Sequence, residues 1–359
     1  MKIGLIGLPK TGKTTIFNAL TKSEADVSAY ASGKTEPNVA IVNVADARVD
    51  RLSALYKPKK TVWATIELTD FIGVSEVDKD SAEQKELFPP ALMKLIKAVD
   101  ALGVVVRNFP GEMSGAPAPL AEVNKIDEEL LLSDLMLIEK RLEKVAQSIK
   151  RGEKNPTLPA EEKILRRLVD HLNAMEPVRT LQLSEEERKI IRGFQLLTQK
   201  PLIVILNSAE DNFGKNAALI AEIAKLHHVV EFSGSFEMEL SRLSDEEATL
   251  FMQESGIAES ARSRLTIAAY ATMGSISFFT VGEDEVRAWN IIKGEKAIDA
   301  AGTIHSDLAR GFIAAECFHY DDLVALGSEK AVKEKGKFKL EGKEYPVKDG
   351  DILNIRFNV

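Results

Sequence analysis

The chain has 359 residues, 45% apolar and 28% charged, with one cysteine and a formal net charge of −8. That length accommodates two or three domains, the composition excludes a disordered chain, and a single thiol excludes a disulfide framework. No apolar run approaches the roughly 18 residues of a spanning helix, so the expected setting is the cytoplasm with no membrane partner, and the acidic balance excludes a surface that tracks nucleic acid along its whole extent.

An apolar strand, Lys2 to Ile6, leads directly into Gly7-Leu8-Pro9-Lys10-Thr11-Gly12-Lys13-Thr14 and then a helical pattern, Thr15 to Leu20. This is a complete G-x-x-x-x-G-K-T phosphate loop in the strand, loop and helix setting that gives the motif meaning. Its glycines let backbone N–H groups and the helix N-terminus converge on one anionic site. Lys13 reaches the terminal phosphates, and the Thr14 hydroxyl can ligate Mg²⁺. Pro9, Lys10, Thr11, Gly12, Lys13, Thr14 and Thr15 are therefore the expected phosphate contacts, and a nucleoside triphosphate, ATP or GTP, with Mg²⁺ is the expected ligand.

Two β-rich runs follow, Val39 to Val44 and Thr61 to Thr69, joined by a helical stretch around Ala47 to Tyr56. They are expected to lie beside the first strand. Buried strands at Ala101 to Val106, Leu202 to Leu206 and Val229 to Phe232 alternate with helical segments at Pro90 to Val99 and Asn216 to Lys225. This alternation predicts a mostly parallel, doubly wound α/β sheet. Between the fourth and fifth strands, Leu131, Leu135, Ile138, Leu142, Val145 and Ile149 step by fours and threes, and after a break at Gly152, Pro156 and Pro159 so do Leu165, Leu168, Leu172 and Met175. The spacing predicts an antiparallel α-helical coiled-coil hairpin.

From about Gly274 short strands and turns predict a separate α+β domain. Its strands fall at Ser277 to Val281, Ala288 to Ile292, Phe312 to His319, Lys337 to Leu340 and Ile352 to Phe357, with hairpin turns at Gly342-Lys343 and Gly350-Asp351. The expected organisation is a nucleotide-binding domain over residues 1–118 and 200–273, a helical insertion over 119–199, and a C-terminal domain over 274–359.

A Ras-like nucleotide domain makes further demands, and each place is filled. Thr35 precedes the second strand, where its hydroxyl can close on Mg²⁺ and the γ-phosphate. Asp70-Phe71-Ile72-Gly73 ends the third strand, where the carboxylate can hold a Mg²⁺-bound water and the Gly73 N–H can sense the γ-phosphate. The expected catalytic set is Lys13, Thr35, Asp70 and Gly73, and the expected metal set Thr14, Thr35 and Asp70. Asn207-Ser208-Ala209-Glu210 stands where many GTPases carry Asn-Lys-x-Asp to clasp guanine. Glu210 carries one methylene more than the aspartate that pairs with guanine N1–H and its 2-amino group, which predicts weak guanine selectivity. Ser233, Gly234 and Ser235 occupy the place of a final base-contacting loop, or form a plain turn.

With these motifs and the ending Gly350-Asp351-Ile352-Leu353-Asn354-Ile355-Arg356-Phe357-Asn358-Val359, the chain resembles the YchF (Obg-like ATPase) family of P-loop proteins over almost its whole length. The most specific stretches are Gly282-Glu283, Glu285 to Trp289, Ala300-Ala301-Gly302, Ile304-His305, Asp307, Gly311-Phe312-Ile313, Ala315-Glu316 and Tyr320 to Val324, which look like that family's TGS domain, a ubiquitin-like β-grasp. The resemblance implies ATP preferred over GTP, slow Mg²⁺-dependent hydrolysis, and contact with the ribosome or RNA through the coiled coil and the TGS domain.

The sequence departs from that family at three places. Lys10 replaces an asparagine in the phosphate loop; its ammonium either substitutes for a monovalent cation near the β/γ-phosphate bridge or is solvated. Val74 stands where Ras-type enzymes place a water-orienting glutamine and where the family likewise has a hydrophobic residue, but Ser75 to Ser81 replace the family's glycine-rich stretch. Phe109 to Gly115 offers Glu112 but no histidine. Among the remaining polar groups, Cys317 is assigned no role, His305 with Asp307 is a weak RNA or partner candidate, and His227-His228 lack the companions of a zinc site. The readings that follow are a slow nucleotide-switched regulatory ATPase acting on translation, a nucleotide-sensing module with negligible hydrolysis, an ordinary GTP-selective GTPase, or a small-molecule kinase, which the C-terminal domain fits poorly.

Overall fold

The computed structural model describes residues 1–21, 37–71, 88–111, 115–255, 257 and 259–358. It divides into two compact units, Lys2–Ala40 with Glu67–Ala261, and Met1 with Ile41–Ile66 and Arg262–Val359. The first carries a six-stranded sheet in the order β2-β4-β1-β5-β6-β7, with β1 at Lys2–Ile6, β2 at Asn38–Asn43, β4 at Thr65–Asp70, β5 at Ala101–Asn108, β6 at Leu202–Ser208 and β7 at His228–Phe232. The pairs β1/β4, β1/β5, β5/β6 and β6/β7 are parallel. Every residue of β5 and β6 is buried, as expected for strands covered on both faces. Their Leu102, Val104, Val106, Val204 and Leu206 form one core with Leu92 and Ile96 of helix α3 (Pro90–Ala98) and Ile223 of α7 (Ala217–Ile223). α1 (Lys13–Thr21) follows β1, and α8 (Gly234–Arg242) follows β7.

Helix α4 runs without a break through Pro119–Lys150. Its Val123, Ile126 and Leu130 belong to the sheet core, whereas Leu131, Ile138 and Val145 belong to a second core with Ile164, Leu165, Leu168 and Leu172 of α5 (Leu158–Asn173). One helix thus leaves the sheet and builds the hairpin, its stepped leucines covered by α5. The expected stripe fails at both ends. Ile149 is partly exposed, and Met175 lies beyond α5 in a left-handed turn with φ +61°. At the changeover Asp134, buried on α4, accepts from the Leu197 N–H at 2.9 Å and from both the N–H and the hydroxyl of Thr198 at 2.7 Å.

The second unit has a six-stranded mixed sheet in the order β11-β10-β12-β8-β9-β3, comprising β3 (Lys60–Val62), β8 (Ser275–Thr280), β9 (Glu285–Ile292), β10 (Phe312–His319), β11 (Lys339–Glu341) and β12 (Asp351–Phe357). On one face Phe278, Ile291, Ala315, Cys317 and Leu353 pack against Ala297, Ala300 and Ala301 of α11 (Ala297–Ile304), whose small side chains allow close approach. On the other, Arg48 of α2 (Ala47–Tyr56) lies 5.0 Å from the Phe279 ring centroid and pairs with Asp349 at 2.8 Å.

Two expectations are corrected here. The run Thr61 to Thr69 is two strands, because β3 hydrogen-bonds in parallel to β9 while β4 continues into the first sheet. Ile41–Ile66 groups with Arg262–Val359 in one compact unit, which takes in most of α10 (Ala261–Met273). Gly342-Lys343 is not a hairpin turn joining neighbours, because β11 pairs with β10 and not with the strand that follows it.

Replacing Asp134 by alanine strands the buried donors of Leu197 and Thr198, so Asp134→Ala is expected to cost about 2–4 kcal/mol. Urea unfolding followed by circular dichroism checks this, with the exposed Glu128→Ala as control; equal midpoints for the two variants would refute the anchor.

Candidate functional site

Strands β1, β4, β6 and β7 end at one edge of the first sheet, which is where open α/β sheets gather ligand-binding loops. After β1 the chain turns through Gly7 to Gly12 and enters α1, whose first hydrogen bond runs from the Ile16 N–H to the Gly12 carbonyl at 2.9 Å. Gly12 has φ +88°, and a β-carbon there would stand 2.3 Å from Asn207 Nδ2, so both backbone and space demand glycine. Lys10, at the crown of the loop, is exposed and holds φ +65°, a conformation costly for a lysine.

Lys13 donates to the carbonyls of Gly7 at 3.0 Å and Leu8 at 2.9 Å, which holds its ammonium across the mouth of the loop. The Thr11 hydroxyl donates to the Leu8 carbonyl at 3.1 Å. Thr14 is buried and Thr15 half-buried at the start of α1, while Pro9 is exposed. The first-turn N–H groups of α1 and the Lys13 ammonium are the groups a triphosphate would meet at such a loop.

Asp70, the last residue of β4, is fully buried, and neither of its carboxylate oxygens has a hydrogen-bond partner. Burial pushes its carboxyl up to about 6, against the smaller opposing pull of the Thr14 hydroxyl and the Lys13 charge. A buried carboxylate without donors, beside a threonine hydroxyl and an ammonium, matches the donor set of a hydrated Mg²⁺ bound mainly through phosphates and one or two protein oxygens. Thr14 and Asp70 would hold that ion, whose role when bound is to neutralise charge on the β- and γ-phosphates. Thr35 and Gly73, expected in the same site, lie outside the described residues, as do Val74, Ser75 to Ser81 and Glu112.

Asn207 is buried at the end of β6, where its Nδ2 donates to the Thr11 carbonyl at 2.9 Å and its Oδ1 accepts from the Gly234 N–H at 3.0 Å. It therefore fastens the phosphate loop to the turn from β7 into α8. Ser233 is buried at that turn, and Ser235 is exposed one residue past Gly234. Glu210 is exposed in a single 3₁₀ turn, Glu210–Asn212, on the loop after β6.

Sequence reasoning placed Ser208 where Asn-Lys-x-Asp has its lysine but gave its hydroxyl no partner. Its hydroxyl donates to Glu231 Oε1 at 2.6 Å and accepts from Asn108 Nδ2 at 3.0 Å, inside a polar cluster on the sheet face turned away from Asn207. The signal that could have found it was a glutamate within the short buried strand Val229 to Phe232. The weaker candidates have local roles. His305 Nδ1 caps α12 (Ser306–Arg310) by accepting from the Asp307 N–H, His227 Nε2 lies 2.7 Å from Asp127, and burial pushes the Cys317 thiol up to about 12, which makes it inert.

A glycine-rich loop on a parallel sheet edge, with its lysine, threonine and a buried aspartate in the places nucleotide chemistry requires, defines a P-loop NTPase. A family model for a 50S ribosome-binding GTPase (MMR_HSR1) matches residues 2–146, and the model YchF-GTPase_C, described as a protein of unknown function (DUF933), matches residues 275–358. The chain is 39% identical to the ribosome-binding ATPase YchF of Bacillus subtilis, with 99% of each chain covered. It is 35% identical to the Obg-like ATPase 1 of rice, covering 100% of this chain and 92% of that one. The solved Schizosaccharomyces pombe YchF GTPase superposes with a TM-score of 0.84 at 32% identity, covering 99% of this chain and 97% of the other. The chain belongs to the YchF (Obg-like ATPase) family.

Asp70 yields a pH-dependent prediction. Its carboxyl titrates near 6 in the fold against 3.8 ordinarily, so the native state holds the proton more tightly and stability falls as pH rises through that window. Asp70→Asn removes the penalty: without nucleotide or Mg²⁺ at pH 7.5 it is expected to melt several degrees above the wild type, about 2–3 kcal/mol. The gap should close toward pH 4, and Mg²⁺ should no longer strengthen nucleotide binding. Thermal melts across pH check the first part and calorimetry the second.

Proposed function

We propose that this protein binds Mg·ATP in preference to GTP, hydrolyses it slowly, and acts as a nucleotide-dependent switch on the ribosome. The carrying observation is the convergence of Lys13, Thr14 and the unpartnered Asp70 on one phosphate loop. This set supplies charge stabilisation and positioning, which is nearly all that phosphoryl transfer asks of a protein. Thr35 and Gly73 complete the reading as switch residues that report the γ-phosphate, with Thr35 joining Thr14 and Asp70 around the metal. The slow rate follows from chemistry: Val74 offers no hydrogen bond to an attacking water.

ATP preference rests on Glu210 and Ser208. A guanine clasp needs a carboxylate at fixed reach, and Glu210 carries an extra methylene on an exposed turn. Asn207, Glu210 and the Ser233-Gly234-Ser235 turn are the base-side contacts in this reading. The ribosomal partner is supported by the name of the Bacillus subtilis relative and by the 50S ribosome-binding model over residues 2–146. The helical hairpin within 119–199 and the C-terminal β-grasp, a TGS-like domain, are the surfaces assigned to the ribosome or RNA, which implies a cytoplasmic setting.

GTP selectivity is the competing reading, favoured by the Schizosaccharomyces pombe relative, which is named a GTPase. Calorimetric titration of Mg·ATP and Mg·GTP separates the two: ATP should bind at least about tenfold tighter, a difference of about 1.4 kcal/mol. Lys13→Ala should abolish binding of both while leaving the circular dichroism spectrum unchanged, because Lys13 meets loop carbonyls rather than the core. Single-turnover hydrolysis of ATP at saturating enzyme distinguishes the slow ATPase from a module that senses nucleotide without cleaving it.

A further inference from the structure

The loop after β6 carries Glu210 on its first turn and is held from behind by one carboxylate. Glu231, on β7, accepts from the Ser208 hydroxyl at 2.6 Å and from Asn216 Nδ2 at 2.5 Å through Oε1, and from the Gly214 N–H at 3.2 Å through Oε2. Asn216 spends a further N–H on the Asn212 carbonyl at 2.7 Å, closing the loop on itself. Asn108 Nδ2 completes the Ser208 hydroxyl at 3.0 Å. Ser208, Asn216 and Gly214 all donate to this one carboxylate, and the last two belong to the 209–216 loop.

Strand geometry explains the placement. Successive side chains of β6 point to opposite faces, so Asn207 turns to the phosphate loop and Ser208 turns away from it. In register, Ser208 stands beside Asn108, and Glu231 pairs with Leu206, which puts all three polar groups on that far face. Charge-assisted bonds to a carboxylate are stronger and more directional than neutral ones, so they fix the loop rather than merely cover it.

We infer that Glu231 is a positioning residue for base selection, setting the place of the loop that presents Glu210 to the nucleobase without touching the nucleotide. The inference rests on the proposed role of Glu210 at the base. It predicts that loosening the loop erodes discrimination between bases while leaving the phosphate loop intact, because Asn207 holds the phosphate side independently through Thr11 and Gly234.

The test titrates the full chain with Mg·ATP, Mg·GTP and inorganic tripolyphosphate, as wild type, Glu231→Gln and Ser208→Ala. The amide of Glu231→Gln turns an N–H toward one of three donors, so the ratio of ATP to GTP affinity should fall by about threefold or more, less in Ser208→Ala, with tripolyphosphate affinity held within about twofold. Discrimination in the wild type that both variants retain overturns the inference alone. Equal losses for all three ligands overturn it in favour of a general loosening of the fold. A wild type that binds ATP and GTP equally overturns the base reading of Glu210 and the inference with it. If Glu231→Gln loses its cooperative melt, Ser208→Ala and Asn216→Ser decide the matter by the same ratio.

Discussion

The side-chain amide of Asn207 holds together parts of the chain that are nearly two hundred residues apart in sequence, and the geometry of the nucleotide site follows from it. Its donor goes to the carbonyl of Thr11 and its acceptor to the N–H of Gly234. A phosphate loop works only if its N–H groups already face the ligand, and the loop's own backbone has few internal hydrogen bonds to keep it so. Asn207 supplies that restraint from β6. The constraint also runs backwards: Gly12 must lack a β-carbon because the amide occupies that space. An asparagine that serves base recognition in GTPases is here, first of all, a fastening between three loops.

Two buried aspartates show how one residue type is put to different uses. Asp134 and Asp70 are both almost wholly excluded from water. Asp134 is answered by three donors at 2.7 to 2.9 Å and anchors the helix that builds the arm. Asp70 is answered by no hydrogen-bond donor, so its charge costs stability. The difference lies in what surrounds each group. Asp134 meets the N–H groups of a chain turn, whereas Asp70 ends a strand beside Lys13 and Thr14 of the phosphate loop.

The parts of the fold that were legible in the sequence are those where chemistry or periodicity restricts the residue type locally. The phosphate loop, the alternation of apolar strands with helices, and the stepped leucines of α4 and α5 are of this kind. The division of Thr61 to Thr69 was not legible, because nothing in Lys60-Thr61-Val62 says that its hydrogen-bond partner is β9 rather than a strand of the first sheet. Met175 continued the leucine spacing, yet the chain had already left the helix, since periodicity does not register a left-handed turn. At the candidate site, motif position singled out Lys13, Thr14, Asp70 and Asn207; the fold sets Asp70 near Lys13 and Thr14, and Asn207 against Thr11. Glu231 was missed because its role depends on strand register, which pairs it with Leu206 and so brings it beside Ser208.

Ser208 links these threads. Many GTPases carry a lysine at that position, with a long cationic stem. Serine is short and uncharged, and its hydroxyl is engaged on the far face, donating to Glu231 and accepting from Asn108. The exchange removes a mobile cation and adds one anchor behind the loop that follows. If this loop presents Glu210 to the base, recognition would depend on where the backbone of residues 209–216 is held, since hydrogen-bond energy falls steeply with misplacement. Asn207 on the near face fastens the phosphate loop and Glu231 on the far face fastens the 209–216 loop, so the two loops are held by separate groups.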